Sequence, residues 1–166
     1  QPSPRLGSRR AMGARPEHGP GRILILATPT GAEAALAEAT ELIGTRPGTI
    51  NLTVLSQIPR LLFSFALSSG LSPARLEDDT LSNFEAGIRS MVARAPDHVG
   101  VSYSILPDHE LARVLELLDE RTYDLVILSL SPFSFLRRRL VRSLDRRGWT
   151  LDGKVGFPPA LTPAGP

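Results

Sequence analysis

At 166 residues, with 42% apolar and 22% charged residues, the chain has the length and composition of one globular domain with its own core. It has no cysteine, which excludes disulfides, thiolate metal sites and a cysteine nucleophile. The formal net charge is only +2 and the pI about 9.7; Lys154 is the only lysine, so the positive charge is almost all arginine, which pairs planar anions in bidentate fashion.

In chain order, residues 1–21 mix Pro2, Pro4, Gly7, Gly13, Pro16, Gly19, Pro20 and Gly21 with Arg5, Arg9, Arg10 and Arg15. Such a stretch buries too little apolar surface to offset its ordering entropy, so a flexible basic tail is expected. The tail is either solvated or an arm for an acidic partner or nucleic acid. Ile23-Leu24-Ile25-Leu26-Ala27 is a continuous apolar run, the pattern of a strand buried on both faces. Thr30-Gly31-Ala32-Glu33 fits a capping box. The helix it predicts runs from Ala34 to about Ile43 and is stopped by Gly44 and Pro47. Residues 50–55 read as a second strand. The 59–70 segment, with Leu61, Leu62, Phe63, Phe65 and Leu67, reads as an apolar loop or short helix, either core or a partner surface.

Ser72-Pro73 opens the next helix, with Leu81, Phe84, Ile88, Met91 and Val92 at helical spacing and Ala95-Pro96 as its end. Val99, Val101, Tyr103 and Ile105 alternate with Gly100, Ser102 and Ser104, the period of a strand. Asp108 caps a helix whose Leu111, Val114, Leu115 and Leu118 share one face. Leu125-Val126-Ile127-Leu128 is a second fully apolar strand. Residues 135–147 form a helix with Leu136, Leu140, Val141 and Leu144 inward; 154–157 are a short final strand, and 158–166 a frayed C-terminal tail. The alternation predicts a doubly wound three-layer α/β sandwich, built on a parallel sheet of four or five strands.

In an open parallel sheet, ligands settle at the C-terminal edge where the strand order reverses. The two apolar strands are the natural neighbours there. Their exit loops, Thr28-Pro29-Thr30-Gly31 and Ser129-Leu130-Ser131-Pro132-Phe133-Ser134, each lead into a helix N-terminus able to attract anions. The 23–31 stretch, Leu52-Thr53-Val54-Leu55 and the 123–128 stretch Tyr-Asp-Leu-Val-Ile-Leu together resemble the framework of universal stress proteins, over residues 22–157. The resemblance implies an adenine nucleotide alpha hydrolase-like sheet of order 3-2-1-4-5 and frequent dimers. ATP-binding members carry Gly-x2-Gly-x9-Gly-Ser/Thr after the fourth strand, where glycine lets backbone N–H groups close on phosphates. Here those positions hold Ser129, Pro132, Arg142 and Ser143, and the acidic residue such members place near the adenosine falls on Thr28. Pro132 removes a donor and fixes φ, and Arg142 puts a long side chain where the family needs room. The expectation is therefore no ATP binding in the family manner. The alternative is a nucleotide-responsive module whose altered pocket uses Thr28, Ser129, Arg142 and Ser143.

Catalysis finds little support in the residue pattern. His18, His98 and His109 show no metal-ligand spacing. Glu77, Asp78 and Asp79 suit a helix start, and Ser129 lacks a nucleophile elbow. A protein without enzymatic activity, cofactor or metal is expected. Arg137, Arg138, Arg139, Arg142, Arg146 and Arg147 crowd one helix, with Arg138, Arg142 and Arg146 on a stripe at four-residue spacing. The candidate partner surfaces are Phe63 and Phe65, and the stripe Arg138, Arg142 and Arg146. They predict a binding or regulatory protein working through a protein partner or a homodimer, with nucleic-acid binding by the arginine helix as the alternative. No apolar run reaches the roughly 18–20 residues of a membrane span, and the basic start lacks the apolar stretch of a secretory signal, so a cytoplasmic protein is expected.

Overall fold

The apolar run after Arg22 forms β1 (Arg22–Ala27), and its residues 23–27 are fully buried. It lies at the centre of the sheet because both its faces and both its edges are covered. β2 (Gly48–Ser56) pairs with it on one side and β4 (Leu125–Ser129) on the other, all three parallel. β3 (Val99–Pro107) pairs parallel with β2. The computed structural model describes residues 20–56, 70, 73–107, 110–120, 123–131 and 134–159.

Four helices link and cover these strands: α1 (Ala32–Ile43), α2 (Pro73–Ala93), α3 (Leu111–Glu120) and α4 (Phe135–Arg146). The path steps one way through β1, β2 and β3, then reverses to β4. Crossovers of one hand therefore put the first two helices on one face and the later ones on the other. The core divides accordingly. Ile23, Ile25 and Ala27 pack with Ala35, Leu36 and Ala39 of α1 and Ile88 of α2. Leu24 and Leu26 pack with Leu111, Val114 and Leu118 of α3 and Leu136, Leu140 and Leu144 of α4. The three-layer α/β architecture expected from the sequence is thus present. Among the described residues, no helix is long and apolar enough to cross a membrane.

The far side of β4 differs from expectation. The sheet has six strands in the order β3-β2-β1-β4-β6-β5, not four or five in the order 3-2-1-4-5, and its last two are not parallel neighbours of β4. The chain leaves α4, makes β5 (Thr150–Asp152) at the outer edge, turns, and inserts β6 (Val155–Phe157) antiparallel beside β4. The cause is the two-residue turn Gly153-Lys154. Gly153 has φ +64° and no other described residue type adopts positive φ, the combination that a type II′ hairpin requires. Lys154 then locks the turn: its C=O accepts the Leu128 N–H at 2.7 Å, and its ammonium lies 2.8 Å from Glu38 of α1.

The termini of α4 are well defined. Ser134 caps its start, accepting the Arg137 N–H at 3.4 Å. Its end is a Schellman motif: Gly148 N–H donates to the Asp145 carbonyl and Trp149 N–H to that of Leu144, while Leu144 and Trp149 share the core. The capping box expected at Thr30 does not form. The N-cap is Gly31 rather than Thr30, with no side-chain cap, and the Thr30 hydroxyl instead faces that of Thr28 at 3.2 Å. At the opposite sheet edge, Asp124 accepts the N–H groups of Gly21 and Arg22, each at 2.9 Å, tying the starts of β1 and β4 together. Gly21 is therefore part of the folded unit rather than of the preceding tail. Residues 1–19 and 160–166, the caps Ser72 and Asp108, and the apolar stretch holding Phe63 and Phe65 lie outside the described residues.

Candidate functional site

The crevice between the ends of β1 and β4 is where the topology would place a ligand, and two expected residues meet there. Ala27 and Ser129 are register partners. Beyond them the ladder continues into the loops: Thr28 N–H donates to the Ser129 carbonyl at 3.2 Å, and the Ser129 hydroxyl donates to the Gly31 carbonyl at 3.1 Å. The Gly31 N–H turns back onto the Thr28 carbonyl at 3.0 Å. Gly31 has to be glycine at this approach, since a Cβ there would lie 2.8 Å from the Ser129 carbonyl oxygen and 3.2 Å from its Cβ, closer still to its hydroxyl.

The electrostatic consequence is direct. An anion bound at a strand-to-helix turn needs free backbone N–H groups. Those of Thr28 and Gly31 are both already donated within the protein. The Thr28–Gly31 loop is thus tied to Ser129 at the end of β4.

Arg142 and Ser143 are not brought to this crevice. The loop after β4 is short and α4 already begins at Phe135, so Arg142 is its eighth residue. At 1.5 Å per residue that position lies about 10 Å along the helix from its start. Arg142 and Ser143 thus lie about two turns into α4 rather than in the connecting loop. Arg142 is exposed, and Ser143 accepts a hydrogen bond from the Arg147 side chain through its backbone carbonyl.

On α4, Leu136, Leu140 and Leu144 face the core, and the arginines divide into two sets. Arg137 donates to the Gly153 carbonyl at 3.1 Å and holds the hairpin turn. Arg147 forms a two-pronged contact with Asp119 of α3 at 3.1 and 3.3 Å. That hydrogen bonding raises the Arg147 pKa and holds the Asp119 carboxyl below its ordinary range. Arg138, Arg139, Arg142 and Arg146 are exposed, and among the described residues none forms an ion pair. Beside them Phe135 is 69% exposed, with the Arg139 guanidinium 5.8 Å from its ring centroid.

A second feature was not singled out in the sequence. On the face of the sheet toward α3, the alternate residues of β2 and β3 are Thr49, Asn51 and Thr53, and Gly100, Ser102 and Ser104. Of these, Thr49, Asn51, Gly100 and Ser102 floor a groove of about 580 Å³ that Arg22 and Tyr123 also line, at the N-terminal ends of the strands rather than at the crevice. Asn51 Nδ2 donates to the Tyr123 hydroxyl at 3.1 Å, and fully buried Thr53 bridges Asn51 and Ser104 at 3.4 Å each. The signal was present as alternation: a strand buried on both faces is apolar throughout, whereas residues 49–54 and 100–105 carry a polar residue or glycine at every second position.

No family model matches the sequence, and no curated protein is significantly similar to it.

Proposed function

We propose that this chain is a binding and regulatory protein of the universal stress type that does not hold ATP in the family manner and acts through contacts with another macromolecule, a protein partner or a second copy of itself. The observation that carries this reading is the fastening of the two crevice loops, Thr28 N–H to Ser129 and Ser129 to Gly31. A fold that donates the Thr28 and Gly31 N–H groups internally offers fewer of them to a triphosphate. The position of Arg142 and Ser143 two turns into α4 speaks against an altered phosphate pocket built from the same set. On this reading the domain works through its outward surfaces, without enzymatic activity.

The test is calorimetry of the full chain with ATP, AMP and cyclic nucleotides. The expected result is no micromolar binding. Micromolar ATP binding that weakens in Thr28→Ala or Arg142→Ala would instead establish the nucleotide-responsive module.

A further inference from the structure

The outer face of α4 combines two things that a merely solvated helix does not need together. At 100° per residue, Phe135, Arg138, Arg139, Arg142 and Arg146 fall within an arc of about 100°, opposite the leucine stripe. The four arginines span residues 138–146, about 12 Å of helix axis, or roughly one positive charge every 4 Å. One strand of a nucleic-acid helix carries a phosphate about every 3.4 Å, so the charge densities match. Asp145 sits at the margin of the arc and forms no ion pair among the described residues. The arginines that α4 needs for its own attachment are the other two, Arg137 and Arg147, which are tied to Gly153 and Asp119. The four on the arc form no ion pair among the described residues.

Phe135 decides the kind of polyanion. A phenyl ring 69% exposed at the head of a charged stripe is costly to keep in water unless something covers it. Arg139 lies over the ring at 5.8 Å, and an aromatic ring with a guanidinium beside it is a platform on which an unpaired base stacks. An acidic peptide would use the arginines and leave the ring idle. A duplex, its bases already stacked, would do the same.

We infer that the exposed face of α4, Arg138, Arg139, Arg142 and Arg146 with Phe135 at its head, is a binding surface for single-stranded nucleic acid, contacting phosphates with the arginines and one base with the ring. This goes beyond the protein contacts proposed above: it gives one outer face of the same domain a nucleic-acid partner.

The test uses the full chain and a fluorescent uridine oligomer of about 12 nucleotides, within the span such surfaces cover, read by anisotropy across a salt series. Replacing Arg138, Arg142 and Arg146 together by Gln should weaken binding about tenfold or more. It should also make the slope of log K against log salt shallower by about 2, three phosphate contacts at about 0.7 each. The same positions changed to Lys should keep the slope, which separates lost charge from a damaged fold. Phe135→Ala should weaken binding about fivefold or more with the slope unchanged, since stacking carries no charge.

Absence of binding at low salt overturns the inference. So does binding indifferent to the arginine variant, which would assign it to Arg5, Arg9, Arg10 and Arg15. Tighter binding of a duplex, or of polyglutamate, would replace the single strand with that partner. The two readings fail separately: ATP bound at the crevice sinks the proposed function and leaves the α4 measurement intact, while loss of oligomer binding does the reverse.

Discussion

Gly31→Ala probes the closed crevice with a single methyl group. Gly31 has φ −94° and ψ −11°, which any residue adopts, so the backbone itself raises no objection. At such a position alanine changes stability by less than about 1 kcal/mol when nothing is nearby. Here the new Cβ would stand 2.8 Å from the backbone carbonyl oxygen of Ser129, which belongs to a central strand and cannot swing away. Relief requires the β1–α1 loop to lift from β4. Overpacking of this kind costs about 1–3 kcal/mol. Lifting the loop also stretches the Thr28–Ser129 and Ser129–Gly31 hydrogen bonds, worth about 1 kcal/mol each. The expected loss is about 2–4 kcal/mol, read as a lower urea midpoint at unchanged slope. Ser129→Gly in the Gly31→Ala background removes the hydroxyl and Cβ contacts but leaves the carbonyl, so it should restore only part of the loss. A Gly31→Ala protein as stable as the parent would mean that the loops are not fastened, and the argument against phosphate entry would go with it.

Gly153→Ala should destabilise by about 1–2 kcal/mol, the cost of a positive φ for an L residue, and amide exchange at Leu128, bonded to the Lys154 carbonyl, should accelerate more than exchange in β2. Tyr123→Phe takes the acceptor from Asn51 Nδ2 and should cost about 1 kcal/mol in chemical denaturation; a stabilised variant would show that the polar floor of the groove is not held through this bond. For Asp119 the folded-state pKa lies below the unfolded value because Arg147 donates to the carboxylate. Its contribution is therefore present above the unfolded pKa and fades as pH falls through the lowered folded one. Stability of the parent should decline more than that of Asp119→Asn over that acidic window, and an Asp119 carboxyl titrating by NMR at the ordinary value would refute the pairing.

The parts of the fold legible in the sequence were those where one physical signal dominated. Residues 23–27 and 125–128 are apolar without interruption because both faces of β1 and β4 are covered, and that pattern alone placed them side by side. Leu111, Val114 and Leu118 sat at helical spacing and are the buried face of α3. The final strand at 154–157 does lie beside β4, but it is antiparallel and follows a further strand, 150–152, at the sheet edge. A glycine with φ +64° closes a hairpin between segments of three residues each, too short for strand periodicity to register.

The site was harder to read, since residue spacing is informative only in a known secondary structure. Thirteen residues from Ser129 to Arg142 would wrap a phosphate if they were loop; as five residues of connection and two turns of helix they carry Arg142 away from the crevice to an outer face. What decided the outcome was the start of α4 at Phe135, fixed by the Ser134 cap and by the leucine stripe that begins at Leu136. The same early start puts Phe135 at the head of four arginines whose charges no acidic neighbour among the described residues neutralises. The crevice contact and the arginine face thus meet at one short connection, residues 130–134. A variant with the 130–134 connection lengthened by a flexible insertion would separate them. It should unfasten the Ser129–Gly31 contact while leaving the α4 face intact. Oligomer binding that survived the insertion while stability fell would show that the α4 face does not depend on the crevice contact.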